Sequence, residues 1–266
     1  LEVDPGYYEK LIITSYECCP NWSPPPDRAA HDSYLGSGYF STWCADVARR
    51  LLQKAAEDRR YAYGEQVITR WPFPIGNFRG LNEVIFPVEV DDNGDGLPDR
   101  KVTIPWPVFH FLGLLNSMGE DYWVLPERVV GGHVVSGFVT KTEKELRLLV
   151  YSHDRYDSQC RSGASFEVTL ELSGLGWPEA RVEEYRFDKD HNSFFRLAER
   201  LSERGAAPGG PRGYSPGEIR EVEKRAKLEV TRSSTRAAEA GGELRLGVRV
   251  SGNGANFVVI SAVGSQ

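Results

Sequence analysis

Two strand–helix repeats, then seven short strands set between Gly, Pro, Asn and Asp turns, predict a chain in two parts. Residues 1–120 read as α/β, with the register of the C-terminal βα units of an incomplete (β/α)8 TIM barrel. Residues 121–266 read as an all-β, antiparallel β-sandwich. A third observation fixes the register of the first part. The apolar run Leu11-Ile12-Ile13-Thr14-Ser15-Tyr16 ends on Glu17, and a buried strand that delivers an acid to its C-terminal end is how a barrel presents catalytic groups.

The elements follow in order. A Pro-rich loop from Pro20 to Asp27 leads to a helix predicted over Ser33–Asp58, where Val47, Leu51 and Leu52 form part of an apolar stripe. A second strand, Gln66–Trp71, runs into the turn Trp71-Pro72-Phe73-Pro74. Strands at Val84–Val90 and Lys101–Ile104 flank an Asp- and Gly-rich loop. A helix over Pro107–Met118 has a proline at its start and Gly119 at its stop. The second part predicts strands at Val129–Thr140, Glu145–Ser152, Phe166–Leu172, Arg181–Arg186, Lys227–Thr231, Glu243–Val250 and Phe257–Ala262, with one helix at Ser193–Glu203.

Composition narrows the function classes. With 266 residues and 40% apolar content, the chain can bury a real core. A mixed charge of net −6 argues against a general grip on nucleic acid, and no run of eighteen apolar residues predicts a membrane span. Cys18, Cys19, Cys44 and Cys160 lack zinc-ligand spacing and read as thiols. The compartment is left open, with a secreted or extracytoplasmic one favoured.

Four groups of residues carry candidate chemistry. Glu17 at a barrel mouth can act as nucleophile, acid or base, or as a hydrogen-bond acceptor for sugar hydroxyls; the other reading is a loop glutamate paired with an arginine. Trp22, Trp71 and Phe73 offer flat faces suited to a sugar ring, or core packing. His31-Asp32-Ser33 precedes the long helix and reads either as its N-cap or as a site histidine. Asp91, Asn93 and Asp95, with Gly96, the Leu97 carbonyl and Asp99, match a calcium loop up to its ninth position. Val102 stands where the bidentate acid of an EF-hand would be, so a hairpin tip is the alternative. No cofactor is expected for catalysis; a calcium ion, if bound, is structural.

Together these segments resemble glycoside hydrolase family 39, the β-xylosidase and α-L-iduronidase group. The strand Ile12–Pro26 with Ala30-His31-Asp32-Ser33, the Val67–Phe73 strand and the helix Pro107-Val108-Phe109-His110 come in the family's order. Leu149-Val150-Tyr151-Ser152-His153-Asp154 and the stretch Val182–Ser193 resemble parts of its appended sandwich. The resemblance implies a retaining glycosidase acting on a polysaccharide or oligosaccharide, with Glu17 as a displaced nucleophile or base and Ser15, Trp22, His31, Trp71 and Phe73 lining the sugar subsite. It also implies that the acid/base partner lies on an N-terminal barrel segment of the same parent protein, and that this chain alone is inactive. Ser15 occupies the family's nucleophile position and Glu17 sits two residues on. A scaffold or glycan-binding protein that has lost its nucleophile is therefore the competing expectation. The partners expected are a carbohydrate and that missing segment, with neither nucleic acid nor membrane.

Overall fold

The computed structural model describes residues 38–57, 85–142, 145–157, 160–193, 215–239 and 241–264. Within them the chain is sheet-rich and antiparallel, with three helices. Helix α1 spans Tyr39–Glu57, and its second half, Ala48–Glu57, is built from good helix formers. Phe40, Cys44, Ala48 and Leu52 recur at i+4 and are all buried, which gives α1 one packing face. Strands β1 (Ile85–Val90) and β2 (Arg100–Pro105) pair as a hairpin whose tip is the Asp-rich loop. Helix α2, Pro107–Asn116, starts on a proline and buries Val108, Phe111, Leu112 and Leu115.

Seven strands then form one antiparallel sheet. They are β3 (Asp121–Val124), β4 (Arg128–Val130), β5 (His133–Lys141), β6 (Glu145–His153), β8 (Glu179–Phe187), β9 (Arg232–Ala237) and β11 (Gly254–Ala262). Their order is β3-β5-β6-β11-β8-β9, with β4 also pairing β5. A two-stranded ribbon, β7 (Ser165–Leu172) with β10 (Leu244–Ser251), covers one face of this sheet. Helices α1 and α2 cover the other. Between β8 and β9 lies helix α3, Pro216–Arg225, which buries Ile219 and Val222.

Among the described residues the ribbon is only two strands wide and leaves both ends of its face of the sheet uncovered. At the β7 end a cleft of about 580 Å³ is lined by Leu125, Val130, Val135 and Phe166. At the β10 end a smaller one of about 90 Å³ is lined by Val182, Arg232, Ser234 and Arg236.

Two predicted elements need correction, and two more were not predicted. The strand expected over Val129–Thr140 is two strands, β4 and β5, because Gly131 and Gly132 take φ of 57° and 86° and turn the chain back. The strand expected at Lys227–Thr231 is irregular and β9 starts at Arg232, because the Asn192 side chain holds both the N–H and the C=O of Glu229. Strand β3 and helix α3 were not predicted. The two strands that define the barrel register, 11–17 and 66–71, lie outside the described residues, as does the helix expected at 193–203 beyond Ser193.

Candidate functional site

Glu17, Ser15, Trp22, His31, Trp71 and Phe73 all lie outside the described residues. The described residues begin at Gly38 and resume at Ile85. Gly38 is the first described residue after the His31 segment, and it is wedged against backbone. A Cβ there would lie 2.4 Å from the Asn253 carbonyl oxygen, 2.6 Å from that of Phe187 and 2.9 Å from the Asp188 Cα. The entry to α1 is therefore fixed by two turns of the sheet, the one after β8 and the one between β10 and β11.

The turn after β8 belongs to the stretch Val182–Ser193, and its residues are used in structure. Asp188 accepts hydrogen bonds from the backbone N–H of Asp190 and His191, both at 2.8 Å, and from the Ser251 hydroxyl. The His191 Nδ1 completes the set at 2.9 Å. Burial alone would raise the Asp188 carboxyl; the His191 and backbone donors outweigh it and hold the group below its ordinary value. The same contact raises His191, although its partial burial acts the other way. Asn192, at φ 44°, donates to the carbonyls of Arg186 and Glu229 and accepts from the Glu229 N–H.

A second polar group locks α1 to the sheet. The single proton of the Thr42 hydroxyl goes to the Tyr39 carbonyl at 2.9 Å, so the oxygen accepts from Nδ1–H of His153, also at 2.9 Å. A hydroxyl beside an imidazole has the makings of a nucleophile and base. Thr42 is fully buried, however, and burial pushes His153 down to about 4, so the pair is a neutral structural contact. Tyr39 donates to the Arg155 carbonyl at 3.0 Å, and Tyr151 donates to Asp46 Oδ1 at 2.7 Å. Burial first, and then the nearby Asp46, push the Tyr151 phenol far up. Asp46 is matched in turn by Arg50 at 2.8 Å. Buried Arg49 reaches Gln53 and Glu127. The stretch Leu149–Asp154 is thus a strand that docks a helix.

The Asp-rich loop closes on itself. Asp91 accepts from the N–H groups of Gly94 (2.6 Å) and Gly96 (2.9 Å), which hold its carboxyl below the ordinary value, the Gly96 bond most of all. Asn93 Oδ1 accepts from Asp95 N–H, Asp95 Oδ1 from Leu97 N–H, and Asp99 Oδ2 from the N–H groups of Asp92 and Asn93. Asn93 Nδ2 also donates to Asp95 Oδ2 and Asp99 Oδ1, so these three side chains share one space. Among the described residues, no three of His, Cys, Asp and Glu are grouped to hold a metal ion. Cys44 and Cys160 are buried as thiols.

Sequence reasoning missed two structural features, one of which has a signal. Ser215-Pro216-Gly217-Glu218 is a capping box, the pattern that announces α3. Asn256 on β11 donates to Glu184 Oε1 and to the Arg249 carbonyl, tying the sheet to the ribbon, and has no local signal.

No known family profile matches this chain, and no curated protein matches it. Among solved structures it is similar to the bacterial orthologue of human α-L-iduronidase. The two share 13% identity with a TM-score of 0.51, over 88% of this chain and 39% of that one. A GH39 enzyme from Xanthomonas axonopodis pv. citri overlaps 60% of this chain and 31% of its own, at 8% identity and TM-score 0.42. A monomeric β-xylosidase from Caulobacter crescentus CB15 does so over the same shares at 11% and 0.40. The chain spans about a third of the length of these proteins. It has a glycoside hydrolase-like fold, and at such identity the likeness carries the fold alone.

Proposed function

We propose that this chain is the C-terminal portion of a family 39-like glycoside hydrolase, a retaining β-xylosidase-like enzyme acting on a polysaccharide or oligosaccharide. The observation that carries the reading is the fold likeness to the iduronidase orthologue over 88% of the chain. It joins the ordered set of barrel-like segments in the sequence. In this reading Glu17 supplies the carboxylate that stabilises an oxocarbenium-like transition state. Ser15, Trp22, His31, Trp71 and Phe73 line the sugar subsite, and the acid/base comes from an N-terminal barrel segment. Docking of Gly38 and α1 onto the sheet then serves catalysis by holding the His31 segment in place.

The test has two arms. The 266-residue chain alone is expected not to turn over an aryl β-xyloside, and measurable turnover overturns the fragment reading. In a parent protein that does hydrolyse a glycoside, Glu17→Gln is expected to lower kcat by about a thousandfold or more, the scale of losing a covalent nucleophile. A second reading rests on Ser15 at the nucleophile position: a glycan-binding protein without hydrolysis. A parent protein that retains glycan binding while showing no turnover of any glycoside supports it.

A structural calcium ion at Asp91, Asn93, Asp95, Leu97 and Asp99 is a separate proposal, supported by the spacing of those oxygens along the sequence. The measurement is the melting temperature in millimolar calcium against EDTA, where a rise of several degrees supports the ion and none refutes it.

A further inference from the structure

Among the described residues, strand β10 pairs with β7 alone, on one side. Its other edge runs along the small cleft above β8 and β9. Two contacts show which of its backbone groups face that edge. The Gly252 N–H bonds to the Ala164 carbonyl on the β7 side, whereas the Arg249 carbonyl points the other way, to Asn256 Nδ2. Antiparallel pairing alternates the direction of backbone groups. Arg245, Gly247 and Arg249 therefore aim theirs at the open edge, where the Arg249 carbonyl is the one already satisfied.

The far wall of the cleft is basic. Arg232 pairs in register with Glu184, Ser234 with Val182 and Arg236 with Ala180. Partners in register share a face, so all three β9 side chains stand on the ribbon side with the buried Ala180, Val182 and Glu184. Among the described residues, the Arg232 and Arg236 side chains have neither a hydrogen bond nor an ion pair. Glu184, the acid of the cleft, is already matched by Asn256 and Arg186. Charges on an edge strand discourage pairing by copies of that strand. That accounts for arginines on β9, but not for two unmatched ones beside a second open edge.

Gly247 adds a further sign. It sits mid-strand, where glycine weakens a strand, yet a Cβ there would meet nothing within 4 Å. The backbone groups of this edge are therefore not crowded by a side chain at position 247. The repeat of Arg232, Ser234 and Arg236 is about 6.6 Å per two residues, which is also the repeat of same-face side chains on an added strand.

We propose that the open edge of β10, facing Arg232 and Arg236, docks an extended acidic segment of a partner protein as a third strand of the ribbon. Main-chain bonds to Arg245, Gly247 and Arg249 would give affinity, and the arginine wall would select acidic residues at alternate positions. This inference does not depend on the glycosidase reading.

The probe is a labelled Glu-Val-Glu-Val-Glu-Val-Glu peptide titrated with the full 266-residue chain by fluorescence anisotropy. Binding is expected at low salt and should weaken as ionic strength rises. Gly247→Pro removes an edge N–H while leaving the β7 ladder intact, and should weaken binding at least about tenfold. Arg232→Glu with Arg236→Glu should do the same, with unchanged circular dichroism. Should Gly247→Pro fail to fold, the unaltered protein is tested with the same peptide carrying N-methyl groups on alternate amides. Loss of binding in one of the two N-methyl registers supports strand addition. No binding by the unaltered protein overturns the proposal, as does equal binding by Gly247→Pro or by both N-methyl registers. Binding of polygalacturonate that Gly247→Pro leaves intact, with no peptide binding, also overturns it and points to an anionic glycan.

Discussion

On its helix-covered face the seven-stranded sheet buries rings. Phe138, Tyr151, Phe187 and Phe257 stand against Phe40, Phe111 and Trp106. On its ribbon-covered face it buries branched aliphatics, Val139, Leu148, Val182, Val258 and Ile260, against Leu170, Leu246, Val248 and Val250. The difference follows from what each cover needs. A cylinder resting on a sheet leaves deep, uneven gaps that large rings fill, and it can slide or rotate unless polar contacts key it. The helix face supplies both, through the aromatic cluster and the Thr42–His153 and Tyr151–Asp46 bonds. A second sheet layer matches the pleat with branched side chains. The ribbon is keyed by Asn256 and by the tilted ring contact of His133 with Phe166, at 5.2 Å between centres.

If ring packing holds the helix face, its centre should be the costliest place to cut. Phe111 contacts Phe187 at 5.5 Å and Phe257 at 5.1 Å between ring centres, and is fully buried. Phe111→Ala is expected to cost about 3–5 kcal/mol of unfolding free energy in a urea titration. A cost below about 2 kcal/mol would break the comparison, because the helix face would then be no more demanding than the ribbon face.

The polar keys of the helix face give it a pH dependence. His153 titrates near 4 when folded, held down by burial, against about 6.5 in the unfolded chain. Between those values the unfolded state binds the extra proton. Stability therefore falls as pH drops from about 6.5 to about 4 and levels off below, a loss on the order of 3 kcal/mol. His191 works in the opposite sense. Asp188 raises it, so its contribution is complete below the unfolded value and fades as pH rises through the folded one. Denaturation midpoints should thus flatten between about pH 6.5 and pH 4 in His153→Gln, whereas His191→Gln should flatten the loss of stability as pH rises above about 6.5. An unaltered slope in His153→Gln would remove the histidine as the helix-face key.

Where the helix face meets the turns, close approach replaces ring packing. Gly38→Ala forces its Cβ against three backbone atoms that no side-chain rotation can relieve. The expected cost is about 1–3 kcal/mol. In a hydrolysing parent protein kcat should fall as well, because the His31 segment enters α1 here. A stable variant with a native midpoint would show that this entry is free to move.

Much of the sheet was legible because alternating burial writes itself into sequence, as in Leu244–Ser251, where every second residue is buried. Strand β9 was not, because an edge strand reading Arg-Ser-Ser-Thr-Arg-Ala has no apolar face to announce it. The neighbouring Lys227–Thr231 does alternate, but its backbone is taken up by Asn192, 37 residues away from Glu229. Asp188 was unreadable for the same reason, since Ser251 reaches it from 63 residues along the chain. Of the candidate site, the Asp91–Asp99 loop was legible as a turn because its bonds are local. Glu17, Ser15, Trp22, His31, Trp71 and Phe73 rest on sequence pattern, and the structure contributes the anchoring at Gly38.

The smallest expected effect lies on the ribbon face. Ile260 is fully buried there, among Val182, Val248 and other branched neighbours. Removing one methyl group leaves a gap that short aliphatics can partly close, so Ile260→Val should cost about 0.5–1.5 kcal/mol. The same reasoning bears on why this face ends in two open clefts. A cover of branched residues over a pleated sheet is extended one strand at a time, each new strand meeting the same kind of surface. The ribbon can therefore gain a strand at either edge without disturbing what is packed already. The helix face cannot, because its rings are keyed to particular partners. If Ile260→Val cost as much as Phe111→Ala, the ribbon would be as tightly specified as the helices, and its edges would be poor places to add anything.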